Sequence, residues 1–126
     1  RRTQRTIELD VRQRAVVEAR PQAVSRAIRN LVENAAKFSP DETSITVIVD
    51  GGAVTVLDAG PGIPKADRSM VFDRFHRVET TRTMPGSGLG LAIVKQVADV
   101  HGGSVSATEA PGGGAAVGFV LPTVDD

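Results

Sequence analysis

The sequence predicts an α+β fold, a two-layer sandwich with a mixed, mostly antiparallel sheet and helices on one face. Three observations support it: two long segments have helical periodicity, about six short segments are typical of β-strands, and the two kinds do not alternate strictly along the chain. With 126 residues the chain can bury one hydrophobic core but not two, so we expect a single domain over residues 1–126.

The predicted strands alternate apolar and polar residues or are rich in Val, Ile and Thr. The segment at 15–18 is the weakest of them, and the alternation at 6–11 predicts a strand with one face in water. Asp50-Gly51-Gly52 predicts an antiparallel hairpin between its two neighbouring strands. The predicted ranges are 6–11, 15–18, 43–49, 53–58, 104–109 and 116–121.

Two helices are predicted. The first starts at Pro21, whose missing N–H is not needed in a first helical turn, and runs to about residue 38, where Ser39-Pro40 ends it. The second begins at Gly88 and ends at Gly102-Gly103, and its apolar residues share one arc of the helix surface.

Composition narrows the possible functions. Lys and Arg balance Asp and Glu at 15 each, so we expect no nucleic acid partner. The chain has no cysteine, which excludes disulfides and thiol nucleophiles, and it has no apolar run of the ~18 residues that cross a bilayer. It opens with Arg1-Arg2 and no initiator Met, which we interpret as part of a longer protein.

Four polar residues of the first helix, Asn30, Glu33, Asn34 and Lys37, share an arc beside its apolar stripe. The common explanation is the solvated face of an amphipathic helix. Asn is a mediocre helix former, however, so two of them one turn apart favour the wall of a functional cleft. Asn oxygens suit Mg²⁺ beside phosphate and water, Glu33 could orient or deprotonate a nucleophile, and Lys37 could contact a phosphate.

Asp58 follows a hydrophobic strand and precedes the loop A-G-P-G-I-P. A carboxylate there could accept a hydrogen bond from the exocyclic amine of adenine and would repel the carbonyl that guanine has instead. The alternative is an Asx-turn, which is the more common use of such a residue.

A second glycine segment, residues 86–91 (G-S-G-L-G-L), opens directly into the second helix. Its backbone amides and the helix N-terminus could hold an anion such as phosphate, and the alternative is a flexible turn that caps the helix. Neither a P-loop nor a dinucleotide-binding fingerprint occurs in the sequence.

Four segments, in this order, resemble the sequence boxes of sensor histidine kinases. Residues 30–40 (N-L-V-E-N-A-A-K-F-S-P) resemble the N-box, 58–64 (D-A-G-P-G-I-P) the G1 box, 71–77 (V-F-D-R-F-H-R) the F-box and 86–94 (G-S-G-L-G-L-A-I-V) the G2 box. The chain is therefore similar to the catalytic, ATP-binding domain of a histidine kinase. The resemblance implies the Bergerat fold, which is shared with gyrase, heat-shock protein 90 and mismatch-repair ATPases.

The resemblance also implies roles for single residues. Glu33 would act as acid/base or polarising group, Asn34 as the Mg²⁺ ligand and Lys37 as a phosphate contact, and these three form the predicted catalytic set. Phe38 would contact the nucleoside, and Asp58 would bind the adenine amine. The predicted ATP-binding residues are Asn30, Asn34, Lys37, Phe38, Asp58, Gly60, Gly62, Ile63, Arg77, Gly86, Ser87, Gly88, Leu89 and Gly90.

By the same resemblance, Phe72, Phe75 and Arg77 would belong to an ATP lid, and residues 78–87 would form its flexible part. The glycines of the G2 box would hold phosphates and act as the hinge of the lid. The last glycine segment, 112–115 (G-G-G-A), lacks the Ser or Thr that usually follows in the family, so we interpret it as a hairpin turn.

Neither histidine of the chain has the helical, acidic context of a phosphoacceptor. His76 lies within the F-box, and His101 lies at a helix C-terminus, where the helix dipole favours a cation. The resemblance therefore predicts an upstream dimerisation and phosphoacceptor domain, and a response regulator receiver domain as a further partner. The parent would be a membrane-anchored homodimer with this part in the cytoplasm, and the fragment itself a monomer.

Two other functions were considered for the same residues. An ATP-driven conformational module of the gyrase or chaperone type would hydrolyse ATP without phosphorylating a protein, and the F-box and the compact G2 box favour the kinase over it. A degenerate module would only bind nucleotide or a partner, and the complete N-box with Glu33 and Asn34 argues against that.

Overall fold

The computed structural model describes residues 6–40, 42–73 and 90–124. A short 3₁₀ turn, Lys65–Asp67, follows the third strand. The strands are β1 (Thr6–Gln13), β2 (Ser44–Asp50), β3 (Ala53–Leu57), β4 (Ser104–Glu109) and β5 (Ala115–Val120), and the helices are α1 (Pro21–Phe38) and α2 (Gly90–Val100).

The five strands form one sheet in the order β1-β2-β3-β5-β4. β1 pairs with β2 in parallel, and the other neighbours pair antiparallel, so the prediction of a mixed, mostly antiparallel sheet is confirmed. Asp50 pairs with Ala53, which leaves Gly51 and Gly52 as a two-residue hairpin turn, and Gly51 has a φ of 64°. β3 thus lies at the centre of the sheet, beside both its hairpin partner and β5.

Both helices pack on the same face of the sheet and against each other. Ala27, Leu31 and Ala35 recur every fourth residue of α1 and are buried against the core. In α2 the buried residues are Val94, Val97 and Ala98, which lie three and four residues apart on one face. The strand residues of the core are Ile45, Val47, Val54, Val56, Ala115, Val117 and Phe119. The prediction that helices cover one face is therefore confirmed.

The helix ends follow the local signals in the sequence. Pro21 occupies the first turn of α1, and the backbone N–H of its C-cap residue Ser39 donates to Ala35 O at 3.0 Å. α2 ends in a Schellman motif: Gly103 N–H donates to Ala98 O at 2.8 Å, and Gly102 has a φ of 74°. No helix within the described ranges is long and apolar enough to span a membrane.

Lys95 lies on the exposed side of α2 and donates a hydrogen bond to Asp99, one turn further on, at 2.8 Å. This hydrogen bond and the charge of Asp99 raise the pKa of Lys95, and the charge of Asp73 adds to the effect. Because the charge of Asp73 acts on Lys95, the segment that follows the 3₁₀ turn approaches α2. Asp73 is the last described residue before 90.

The strand predicted at 15–18 is wrong. Residues 14–20 form an irregular connection, in which Val17 and Ala19 pack against the core and Val16 is exposed. The carbonyl of Val16 accepts one hydrogen bond from Val124 N–H at 2.7 Å, and this contact does not extend into a ladder. The weak alternation therefore reflected inward packing of an irregular segment.

β1 also differs from the prediction, because both of its faces are exposed. Its register places Ile7, Leu9 and Val11 beside buried or half-buried residues of β2, yet these side chains are 58%, 69% and 46% exposed. β1 is an edge strand, and neither helix packs against it. The alternation predicted its pleat correctly but not its burial.

His101 joins the C-terminal end of α2 to the N-terminal end of α1. The backbone N–H of Arg20 donates to Nε2 of His101 at 3.0 Å, and Nδ1 lies 2.7 Å from the carbonyl oxygen of Val97. Both ring nitrogens of His101 thus contact backbone groups, one on each side of the junction between the helices.

Candidate functional site

Asp58 lies directly after β3 and extends that strand's pairing with β5 by one residue. Leu57 pairs with Ala116, and the backbone N–H of Asp58 then donates to Ala115 O at 3.0 Å. Asp58 is only 8% exposed, although it carries a carboxylate. A buried carboxylate requires hydrogen-bond donors around it.

Both donors to this carboxylate are backbone amides, and both reach the same oxygen. Oδ1 accepts from Gly60 N–H at 2.9 Å and from Ala115 N–H at 3.0 Å. The bond from Gly60 forms the Asx-turn that the sequence left as an alternative, and it occupies Oδ1 alone. Among the described residues no hydrogen bond reaches Oδ2, so this second oxygen retains its capacity to accept one.

The glycine loop after Asp58 packs closely on the C-terminal end of α1. A Cβ added to Gly60 would lie 2.4 Å from the carbonyl oxygen of Phe38, so only glycine permits this approach. Ser39 Oγ accepts a hydrogen bond from Ala59 N–H at 3.3 Å. The N-box helix and the G1 loop are therefore joined at one point, as two walls of one site would be.

Gly62 and Ile63 complete this loop. Gly62 has a φ of 83°, a conformation that L side chains rarely adopt. The side chain of Ile63 packs against the core, and its carbonyl oxygen accepts from Arg68 Nε at 3.1 Å. The loop is thus held at both ends, by the carboxylate of Asp58 and by Arg68.

The polar side chains of α1 lie beside its buried stripe, as their spacing predicts. Asn34 is half-buried, Glu33 and Lys37 are exposed, and Lys37 Nζ lies 5.8 Å from the ring centroid of the half-buried Phe38. Such a cation–π contact is worth about 0.5–1 kcal/mol at an exposed site. The roles predicted for these residues stay predictions.

Asn30 lies at the junction of the two helices. Its Nδ2 donates to Arg26 O at 3.0 Å, one turn back in α1. Its Oδ1 faces Gly90, since a Cβ added to Gly90 would lie 3.5 Å from that oxygen. The amide nitrogen is therefore engaged within α1, and the oxygen points to Gly90, the first described residue of α2, which lies within the predicted G2 box.

Part of the predicted site lies outside the described residues. This applies to Phe75 and His76, to the predicted flexible lid at 78–87, and to the binding residues Arg77, Gly86, Ser87, Gly88 and Leu89. Phe72 does lie within the described ranges, where it is 7% exposed and packs in the hydrophobic core. Its side chain is therefore part of the core, and its assignment to the lid stays a prediction.

Two residues that the sequence interpretation treated only as a hairpin turn belong to the environment of Asp58. Ala115 supplies a donor to Oδ1, and a Cβ added to Gly114 would lie 2.1 Å from the carbonyl oxygen of Asp58. Nothing in the sequence pairs residue 58 with residues 114 and 115. The only local signal was a run of three glycines before a strand.

The donor set available for a metal consists of amide oxygens on α1. Within the described ranges, no group of three or more His, Cys, Asp and Glu residues could hold a metal ion. Amide oxygens such as that of the half-buried Asn34 suit Mg²⁺, which usually keeps water and substrate phosphates as its other ligands. The residues present therefore fit Mg²⁺ bound together with a nucleotide.

Comparisons with known proteins agree with this geometry. The family model described as "Histidine kinase-, DNA gyrase B-, and HSP90-like ATPase" matches residues 19–125. Over 110 residues the chain is 46% identical to the signal transduction histidine-protein kinase/phosphatase MprB of Mycolicibacterium smegmatis, which covers 80% of this chain and 22% of that protein. The chain therefore spans about a fifth of the length of this curated relative.

Two solved structures share the fold. The mycobacterial sensor histidine kinase MprB aligns with a TM-score of 0.84 and 40% identity, over 94% of this chain and 84% of that one. Full-length ShkA, solved in complex with AMPPNP, aligns with a TM-score of 0.77 and 30% identity, over 97% of this chain and 26% of that one. The chain belongs to the family of histidine kinase-, DNA gyrase B- and HSP90-like ATPases, among its histidine kinase ATP-binding domains.

Proposed function

We propose that this domain binds Mg-ATP and donates the γ-phosphate to a histidine on a separate dimerisation domain, as the catalytic part of a two-component sensor kinase. The observation that carries the proposal is the carboxylate of Asp58. It is buried and held through Oδ1 by two backbone amides, while Oδ2 remains available to a ligand. An acceptor held in this way suits the exocyclic amine of adenine.

The other roles follow from the arrangement of α1. Asn34 provides an amide oxygen for Mg²⁺, Lys37 and Asn30 face the phosphates, and Glu33 is the acid/base or polarising group. The close joint between Gly60 and the end of α1 supports this assignment, because it holds the base-binding loop and the phosphate-binding helix in one rigid arrangement. Phosphoryl transfer depends mainly on such positioning and on charge neutralisation.

The acceptor and the other partners belong to the whole protein. We propose that a dimerisation and phosphoacceptor domain precedes this domain, that a response regulator receives the phosphoryl group, and that the parent is a membrane-anchored homodimer with this domain in the cytoplasm. The sensor kinase relatives support this organisation.

Phosphotransfer between separated domains tests the proposal. The domain is mixed with the dimerisation domain of the same protein and with γ-labelled ATP, and acid-labile, base-stable label is expected on the dimerisation domain. The catalytic domain alone should bind ATP and remain unlabelled. Release of phosphate with no labelled protein would indicate a conformational ATPase instead, and a stable phosphohistidine on the isolated domain would contradict the proposed division of labour.

A pair of glutamates provides a matched control for that experiment. Glu33→Gln removes the proposed acid/base group on α1, whereas Glu18→Gln changes an equally exposed carboxylate in the connection before α1. We expect Glu33→Gln to lower the transfer rate by at least about 10²-fold with little change in ATP affinity, in line with losses of general acid–base catalysis. Equal transfer rates in the two variants would remove Glu33 from the chemistry.

A further inference from the structure

The end of β5 nearest to the site makes an unusual set of contacts with Asp58. We call Gly114 and Ala115 the β5 corner. Asp58 N–H donates a hydrogen bond to Ala115 O, and Ala115 N–H donates one to Oδ1 of Asp58. Each bond is 3.0 Å long. In an ordinary antiparallel pair, Ala115 N–H would instead donate to the backbone carbonyl of the residue opposite it. Here the side chain takes that place, so the strand pairing itself holds the carboxylate.

Gly114 makes this exchange possible. A Cβ at this position would lie 2.1 Å from the carbonyl oxygen of Asp58 and 3.0 Å from Oδ1. Real Cβ atoms essentially never approach another atom within 3.0 Å, so with a side chain here β5 and the Asp58 backbone would have to move apart. Gly114 therefore lets β5 approach the carboxylate closely enough for Ala115 to donate to it.

The two preceding glycines differ from Gly114 in contact but not in conformation. Gly112, Gly113 and Gly114 have φ values of 83°, 104° and 87°. A Cβ added to Gly112 or to Gly113 would meet nothing within 4 Å. Substitution by alanine therefore carries a comparable conformational cost from the positive φ at all three positions. Only at Gly114 would the new Cβ also collide with Asp58.

The corner is held in place from its other side as well. Ala110 N–H donates to Gly114 O, and Gly113 N–H donates to Ala110 O, each at 3.0 Å. The carbonyl oxygen of Gly114 also lies close to the G1 loop, since a Cβ added to Gly62 would be 3.3 Å from it. The β4–β5 turn, the corner and the G1 loop therefore form one continuous set of backbone contacts around Asp58.

We propose that the β5 corner is a positioning element for Asp58, which fixes the direction of Oδ2 and thereby sets the selectivity of the site for adenine over guanine nucleotides. This inference rests on the proposed function, because it takes Asp58 as the acceptor of the adenine amine. Gly114 and Ala115 act through Asp58: Gly114 by leaving room, and Ala115 by occupying Oδ1. The sequence alone had suggested no role beyond a hairpin turn for this segment.

Gly114→Ala, with Gly113→Ala as the matched control, tests the proposal by titration calorimetry with Mg-ATP and Mg-GTP. We expect Gly114→Ala to weaken ATP binding about tenfold and to narrow the ATP-over-GTP preference about tenfold, since a shift of ~1 Å in a positioned group can cost up to 10²-fold. Gly113→Ala should keep the ATP affinity and the ATP-over-GTP preference within about twofold of those of the unmodified domain. In the Asp58→Asn background, Gly114→Ala should cause little further loss, because non-additivity indicates that the two residues act as one unit.

The outcomes separate this inference from the proposed function. Failure of the unmodified domain to bind ATP would overturn the proposed function. If ATP binding is normal and sensitive to Asp58→Asn, but Gly114→Ala and Gly113→Ala behave alike, the positioning role is refuted and the proposed function stands. A loss of affinity in Gly114→Ala without any change in the ATP-over-GTP preference would also refute it, because this pattern indicates a structural defect only.

A measurement on the unmodified protein covers the case in which Gly114→Ala does not fold. Scalar couplings across hydrogen bonds, detected by NMR, should connect the amide nitrogens of Ala115 and Gly60 to the side-chain carboxyl carbon of Asp58, both without nucleotide and with saturating Mg-ATP. Couplings present in both states mean that the corner holds the carboxylate before the base arrives. Absence of the Ala115 coupling in the nucleotide-free protein would overturn the proposal.

Discussion

Replacement of Asp58 by Asn and by Ala should separate nucleotide binding from folding. Asn keeps an oxygen that can accept from Gly60 and Ala115, and it changes only the second oxygen, which becomes an NH₂ group that cannot accept from an adenine amine. A hydrogen bond to a charged group contributes about 1.5–3 kcal/mol. Asp58→Asn should therefore weaken Mg-ATP binding by roughly 10- to 150-fold, with little change in the free energy of unfolding.

Asp58→Ala should also destabilise the fold. It leaves two amides without an acceptor, and their burial decides the cost: Ala115 is 3% exposed, whereas Gly60 is half-exposed and water can satisfy its N–H. An unsatisfied buried donor costs about 1–3 kcal/mol, so we expect a loss of about that size, mainly from Ala115. Titration calorimetry and urea denaturation of both variants measure the two effects. Unchanged ATP affinity in a folded Asp58→Asn protein would refute the assignment of the base-binding residue.

Three further predictions concern the packing around the site. Leu31→Ala should lower the free energy of unfolding by about 2–5 kcal/mol, because Leu31 is 1% exposed. The control Leu9→Ala should lower it by less than about 0.5 kcal/mol, because Leu9 is 69% exposed. Similar losses for the two variants in urea denaturation would contradict the packing of α1. Gly60→Ala should cost about 1–3 kcal/mol, because its Cβ would lie 2.4 Å from a carbonyl oxygen at the end of α1; an unchanged thermal midpoint would show that the loop can move away. His101→Ala should cost about 0.5–1.5 kcal/mol, because water can satisfy the exposed amide of Arg20 once its acceptor is lost. It should also speed hydrogen exchange at that amide, and unchanged exchange there would refute the link between the helices.

Much of the fold could be predicted because its signals are local. Pro21 and Ser39-Pro40 bound α1, the two glycines after Asp50 bound the hairpin, and Gly102 ends α2. Each of these signals acts within a few residues, through backbone conformation or a missing N–H. The alternation of β1 correctly gave the pleat of the strand, and it could not show that β1 lies at the edge of the sheet, beyond the helices.

The same distinction applies to the candidate site. The resemblance to the family boxes, together with the polar arc of α1 and the carboxylate after β3, predicted roles for Asn34, Glu33 and Asp58 without any structure. Contacts between distant segments were missed: Ala115 donates to the carboxylate of Asp58, and Ser39, interpreted as a helix stop, also accepts from Ala59. Their environments depend on how the elements pack, which short-range patterns do not encode.

The sequence by itself determined most of the elements and the family, and it predicted the residues proposed to carry the chemistry, because periodicity, turn residues and motif spacing are properties of contiguous segments. The tertiary structure alone decided what surrounds Asp58. The pairing of Leu57 with Ala116 brings Gly114 and Ala115 to a carboxylate more than fifty residues away, and the direction of that carboxylate follows from this register. Strand register results from burying the whole sheet face at once, so no single segment of the chain carries it.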